Sequence, residues 1–137
     1  MRVFFSNEAD ISVGPIINNI QNAIKKKTGP IEVNNYTKEL DNIAIITNCF
    51  NSWQLEFGLG KPRKYISYNN RSADIRLPIP YDEFLSADKE KRFEMVKQNI
   101  YDSIRVIDER INKKKMCSFD GEKMIADIEE KLKNIMF

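Results

Sequence analysis

The sequence predicts an α+β fold: a small, mainly antiparallel sheet of about four strands, with two or three helices in a single layer on one face. Three observations predict it. Short β-rich runs stand at Arg2–Ser6 and Ile43–Phe50. Residues 63–79 alternate apolar and polar about Asn69-Asn70, the pattern of a hairpin. Residues 13–24, 93–111 and 124–135 repeat apolar side chains at helical spacing. At 137 residues, with 42% hydrophobic and 31% charged side chains, the chain reads as one globular domain spanning 1–137.

The elements follow in order. Arg2 to Ser6 is a first strand, and Ser6, Asn7 and Asp10 offer helix caps after it. Val13, Ile16, Ile17, Ile20 and Ile24 then define one buried helical face. Pro15 is tolerated only near the helix start. Lys25-Lys26-Lys27 suit the dipole of the last turn, and Thr28-Gly29-Pro30 stops the helix. Residues 31–41 are polar and show no clear period. The continuous apolar run from Ile43 suits a strand buried on both faces. Asn51 to Pro62 reads as a long connection.

In the hairpin, a two-residue turn at Asn69-Asn70 sets Ile66 opposite Ala73, Tyr65 opposite Asp74 and Arg63 opposite Arg76. Ala73, Ile75, Leu77 and Ile79 then face inward, and Arg63, Tyr65, Asp74 and Arg76 face outward. Pro78 and Pro80 end the strand or leave it at an edge. Ser86 or Asp88 caps a long helix whose buried stripe is Phe93, Val96, Ile100, Ile104, Ile107 and Ile111. Lys113-Lys114-Lys115 ends it. A last helix starts near Asp120 with Met124, Ile125, Ile128, Leu132 and Ile135 on its apolar face. That face is wide enough to complete the helical layer or to mediate self-association, and the pattern does not choose.

Chemistry is marked by what is missing. The chain has no histidine, which removes the commonest general base, the commonest metal ligand and every Ser-His-Asp or Cys-His pair. Cys49 and Cys117 lack metal-ligand spacing. Gly58-Leu59-Gly60-Lys61 lacks the spacing of a phosphate loop and precedes a strand, so it reads as a turn. The twenty acids lie largely opposite the apolar stripes, as a solvated face. The expectation is no enzyme, no metal and no cofactor. The first residues are not a signal peptide, since Glu8 and Asp10 follow the short run Val3-Phe4-Phe5 at once. The longest aliphatic run, Ile43–Ile46, is far short of a membrane span. The expected location is the cytoplasm, with no membrane partner.

What remains is binding. Net charge is only +2, and residues 61–83 form the one locally basic block, with five Lys and Arg against three acids. That block carries Arg63, Lys64, Tyr65, Tyr68, Arg71, Asp74 and Arg76, and Trp53 stands upstream in the polar loop Asn-Ser-Trp-Gln. Cations interleaved with rings suit either a single-stranded nucleic acid or a protein partner. Near-neutral total charge and the mixed sign of the outward face favour protein. The candidate partner-binding residues are therefore Trp53, Arg63, Tyr65, Tyr68, Arg71, Asp74 and Arg76. The acidic residues of the long helix are the fallback surface.

Several patterns in order resemble a family of bacterial immunity proteins, the one numbered forty-four among those that neutralise polymorphic toxins. They are the opening strand with Ser6 and Glu8, the following amphipathic helix, the strand Ile43-Ala44-Ile45-Ile46 and the basic hairpin. Ser72-Ala73-Asp74-Ile75-Arg76-Leu77-Pro78-Ile79 comes next, then Phe84-Leu85-Ser86-Ala87-Asp88 leading into a helix with Ser103-Ile104. The resemblance covers Met1 to Ile107. It departs at Pro78, where a polar residue is expected, and it leaves 116–137 as a C-terminal helix added to the family core. It implies a non-catalytic antidote that binds a cognate secreted toxin domain by non-covalent protein–protein contact. The alternative is a small nucleic-acid-binding or regulatory module built on the basic-aromatic hairpin.

Overall fold

In the computed structural model, residues 2–6, 19–20, 22–23, 32–37, 40–50, 72–113 and 119–133 are described. Their strands are β1 (Arg2–Ser6), β2 (Asn42–Phe50) and β3 (Ser72–Pro80). The helices are α1 (Tyr81–Ser86), α2 (Lys89–Lys113) and α3 (Gly121–Leu132), with one 3-10 turn at Val33–Asn35. Asn19, Ile20, Asn22 and Ala23 are helical, and Ile20 is buried, as the first amphipathic repeat predicts.

The described sheet has three strands in the order β1-β2-β3. Both pairings are parallel, with Val3 opposite Ile45 and Ile45 opposite Ile75. This corrects the expectation of a mainly antiparallel sheet; of the about four strands expected, three are among the described residues. Parallel neighbours need a crossover of about a dozen residues or more, and segments 7–41 and 51–71 supply that length. The first arm of the predicted hairpin, with its facing pairs, lies outside the described residues. The second arm is β3.

Strand alternation holds. Ala73, Ile75 and Ile79 are buried, and Leu77 packs partly buried against them. On β2 three consecutive residues, Ile43, Ala44 and Ile45, are buried, so both sides of the strand are closed there. β3 runs through Pro78 to Pro80 and forms an edge of the described sheet, the position where proline's missing N–H is tolerated. Pro80 then leads into α1, whose first turn carries Asp82 and Glu83 at the positive end of the helix dipole.

α2 lies against β3 and β2. Its stripe of Phe93, Val96, Ile100, Ile104 and Ile107 is buried in one core with Ile43, Ile45, Ile75 and Ile79. Each such side chain contributes about 1.5–3 kcal/mol over an exposed one. Asp88 is the residue that caps α2, its Oδ1 accepting from the backbone N–H of Lys91 at 2.8 Å. Ser86 instead closes α1, donating from Oγ to the carbonyl of Glu83. Arg92 ties the two helices together. It donates from Nε to the carbonyl of Phe84 and from Nη2 to that of Leu85, and it stacks over the Phe84 ring.

α3 begins where predicted. Asp120 accepts from the N–H of Lys123, and Asp108 of α2 reaches across to accept from Gly121. Met124, Ile125, Ile128 and Leu132 are buried within the monomer. The described part of α3 therefore takes the layer-completing role of the two that the sequence leaves open. The polar segment 32–37 holds it from the other side. Tyr36 donates from its hydroxyl to Asp127 at 2.7 Å, and its carbonyl accepts from Asp120. Val33 and Thr37 are buried in this segment, as is Leu40 after it, and the segment shows no period in the sequence because a 3-10 turn breaks it.

Candidate functional site

Of the residues predicted to bind a partner, Asp74 and Arg76 lie on β3, in register with Ala44 and Ile46. Along the strand they alternate in sequence with Ala73, Ile75 and Leu77. Trp53, Arg63, Tyr65, Tyr68 and Arg71 lie outside the described residues. β3 thus places two of the seven predicted residues, one acidic and one basic, two positions apart.

At the carboxyl end of the same strand a groove of about 400 Å³ opens between β3 and α2. All the described strands run parallel, so this is the end of the sheet at which such folds usually gather ligands. Ile79 and Pro80 close one side. Met95 and Asn99 line the helix side, and Lys91, Glu94, Gln98 and Asp102 stand around them. Glu94, Gln98 and Asp102 follow at intervals of four, so they line one stripe of α2.

The polar groups along this stripe are partly engaged. Lys97 donates to Oε1 of Glu94 at 2.8 Å, and Gln98 donates from Nε2 to Oδ1 of Asp102 at 2.9 Å. Arg105 lies 3.6 Å from the same Asp102 oxygen. These exposed pairs contribute about 0–1 kcal/mol each and hold the side chains only loosely. A carboxylate accepts roughly four bonds, so both acids keep capacity for further donors.

Asn99 is different in kind. It is 7% exposed, and its Nδ2 donates to the carbonyl of Leu77 on β3 at 3.1 Å, clamping helix to strand. Its Oδ1 is shut off from solvent and accepts no hydrogen bond among the described residues. A buried acceptor left unpaired costs about 1–3 kcal/mol. Nearby Ser103 is fully buried but satisfied, donating to the Asn99 carbonyl at 2.7 Å. Sequence reading passed over the groove, though one signal existed. Asn99 and Ser103 fall three and seven residues after Val96, inside the buried stripe, where a polar side chain needs a reason.

A second buried polar atom lies on α2. The hydroxyl of Tyr101 has no partner among the described residues. Burial, then the charges of Glu129 and Glu94, hold its pKa well above the ordinary phenol value. Tyr36 is pushed up to about 12, first by burial and then by its hydrogen bond to Asp127. Both phenols stay neutral at ordinary pH, and that of Tyr36 acts as a donor to Asp127. Among the described residues no group of three or more acids and cysteines is placed to hold a metal ion. No helix among them is long and apolar enough to cross a membrane. The groove offers hydrogen-bond acceptors over an apolar floor, an arrangement suited to holding a partner group.

Compared with known proteins, the chain matches a family model described as Immunity protein 44 over residues 1–134. The match takes in α3, whereas the resemblance read from the sequence ends near Ile107. No curated protein and no solved structure matches.

Proposed function

Because the chain belongs to the immunity protein 44 family, we propose that it binds and neutralises the toxic domain of a secreted bacterial protein. The reading has the protein act in the cytoplasm by non-covalent contact, in a contact-dependent or polymorphic toxin system, with no catalysis of its own. The observation that carries it is the family match, which runs through nearly the whole chain. The wide packing of α2 and α3 in one core supports it, since a tight inhibitor is best served by a rigid scaffold that loses little freedom on binding.

The contact surface we propose is the face of Arg63, Tyr65, Tyr68, Arg71, Asp74 and Arg76, together with Trp53. Tyrosine, tryptophan and arginine dominate binding hot spots, and mixed charge steers encounter with a partner of complementary pattern. The test is co-expression with the toxic C-terminal domain encoded by the adjacent reading frame. Growth should be restored by the chain and lost again with Trp53→Ala or Tyr65→Ala, both variants remaining folded. Toxicity undiminished by the wild-type chain would refute the reading. Full rescue by both variants would move the interface elsewhere, to the acidic stripe of α2 first.

A further inference from the structure

The groove at the end of β3 has more acceptors than donors. Glu94, Asp102 and the side-chain carbonyl of Gln98 stand against the ammonium of Lys91, while the amide donors of Gln98 and Asn99 are already engaged by Asp102 and Leu77, and Oδ1 of the lining residue Asn99 is buried. Its floor is apolar, from Ile79, Pro80 and the half-buried Met95. A long side chain with an aliphatic stem and several donors at its tip fits both halves of that lining. Arginine fits best, because its planar head presents five donors and bonds a carboxylate through two of them at once.

We infer that this groove receives an arginine side chain of the toxin domain, an inference that rests on the function proposed above. The stem lies along Ile79, Pro80 and Met95. The guanidinium meets Glu94 and Asp102 at the rim in charge-assisted bonds. Asn99 Oδ1 is the inner acceptor, and the bond it gains removes the unpaired oxygen that the free protein keeps buried. Reaching that oxygen requires a lining side chain to give way. Met95, one turn before Asn99 on the same side of α2, is unbranched and can re-pack without strain. Lys97 and Arg105 now screen the two acids through exposed, loose pairs, and an incoming arginine can displace or share them. The inner amide is already fixed, since Leu77 holds Nδ2 and leaves Oδ1 as the acceptor.

Two measurements test this. In the first, the isotopically labelled full chain is titrated with N-acetyl-arginine amide and, in parallel, with N-acetyl-norleucine amide. The side-chain amide signals of Asn99 and Gln98 should shift saturably with arginine, at least about threefold further than with norleucine. The response should vanish in the Glu94→Gln/Asp102→Asn variant. No saturable shift, or an equal one with norleucine, would overturn the inference. In the second, the same double variant is titrated into the toxin domain. Its Kd should rise about tenfold with the melting temperature unchanged. A wild-type complex with unaltered affinity in the variant overturns the groove alone. Absence of any wild-type complex overturns the functional reading and the occupant with it.

Discussion

Gly121 shows how tightly single residues set the helical layer. A Cβ built there would lie 2.6 Å from Oδ2 of Asp108 and 2.9 Å from its Cβ. Because the Asp108 Cβ cannot swing away, α2 and α3 must part or lose the bond from Gly121 N–H to Asp108. Gly121→Ala should therefore destabilise the fold by about 1–3 kcal/mol, read by urea unfolding. A change within about 0.5 kcal/mol would show that the helices are free to separate. Tyr36 makes a second prediction. Its folded pKa of about 12 exceeds the ordinary 10.0, so the folded state holds this proton more tightly than the unfolded chain. The resulting stability is complete below pH 10 and is lost as pH rises through about 12. Melting temperature should therefore fall less steeply over that range in Tyr36→Phe than in the wild type. Equal slopes would mean that the hydroxyl is neither buried nor bonded to Asp127 in solution. Neither feature was legible in the sequence. Gly121 reads there as a plain helix start, and Tyr36 lies in a segment without period.

At the scale of elements, local pattern and pairing part company. The stripes of α2 and α3 are legible in the sequence wherever their side chains are described, since burial follows the 3.6 period directly: Phe93, Val96, Ile100, Ile104 and Ile107 all lie in the core. The helix starts were also legible, with Ser86 or Asp88 offered as the α2 cap and α3 starting near Asp120, because Asp88 and Asp120 do the local chemistry their type does best. The inward set of β3 was legible for the same reason. The direction of pairing was not, because alternation is identical in parallel and antiparallel strands. Only the crossovers 7–41 and 51–71 decide it, and Asn69-Asn70 pointed to a tight turn instead. The short helix α1 was missed because six residues are too few to show a period. Ile104, fully buried on the helix that lies against β2 and β3, makes the orientation of α2 testable. Ile104→Asp buries an unpaired charge and should abolish the cooperative melting transition, while Ile104→Val should cost only about 0.5–1.5 kcal/mol. A folded Asp variant would mean that the helix presents a different face to the sheet.

At the scale of the whole molecule, the fold and the function are carried by different kinds of information. Core packing follows from composition and period. The partner follows from membership of the immunity protein 44 family, which matches residues 1–134. The predicted contact residues are side chains that packing does not explain, and of these the described residues include Asp74 and Arg76 on β3. The groove escaped that logic because no one segment carries it: Ile79 and Pro80 come from β3, and Met95, Asn99 and Asp102 from α2. Both surfaces belong to one claim, that the chain works by occupying a toxin domain. The most direct measurement is calorimetric titration of the purified chain into the purified toxin domain from the adjacent reading frame, with toxin activity followed in the same samples. The account predicts a saturable complex of fixed stoichiometry whose formation removes toxin activity in proportion to occupancy. A toxin domain that stays fully active with no heat of binding at micromolar chain would contradict it.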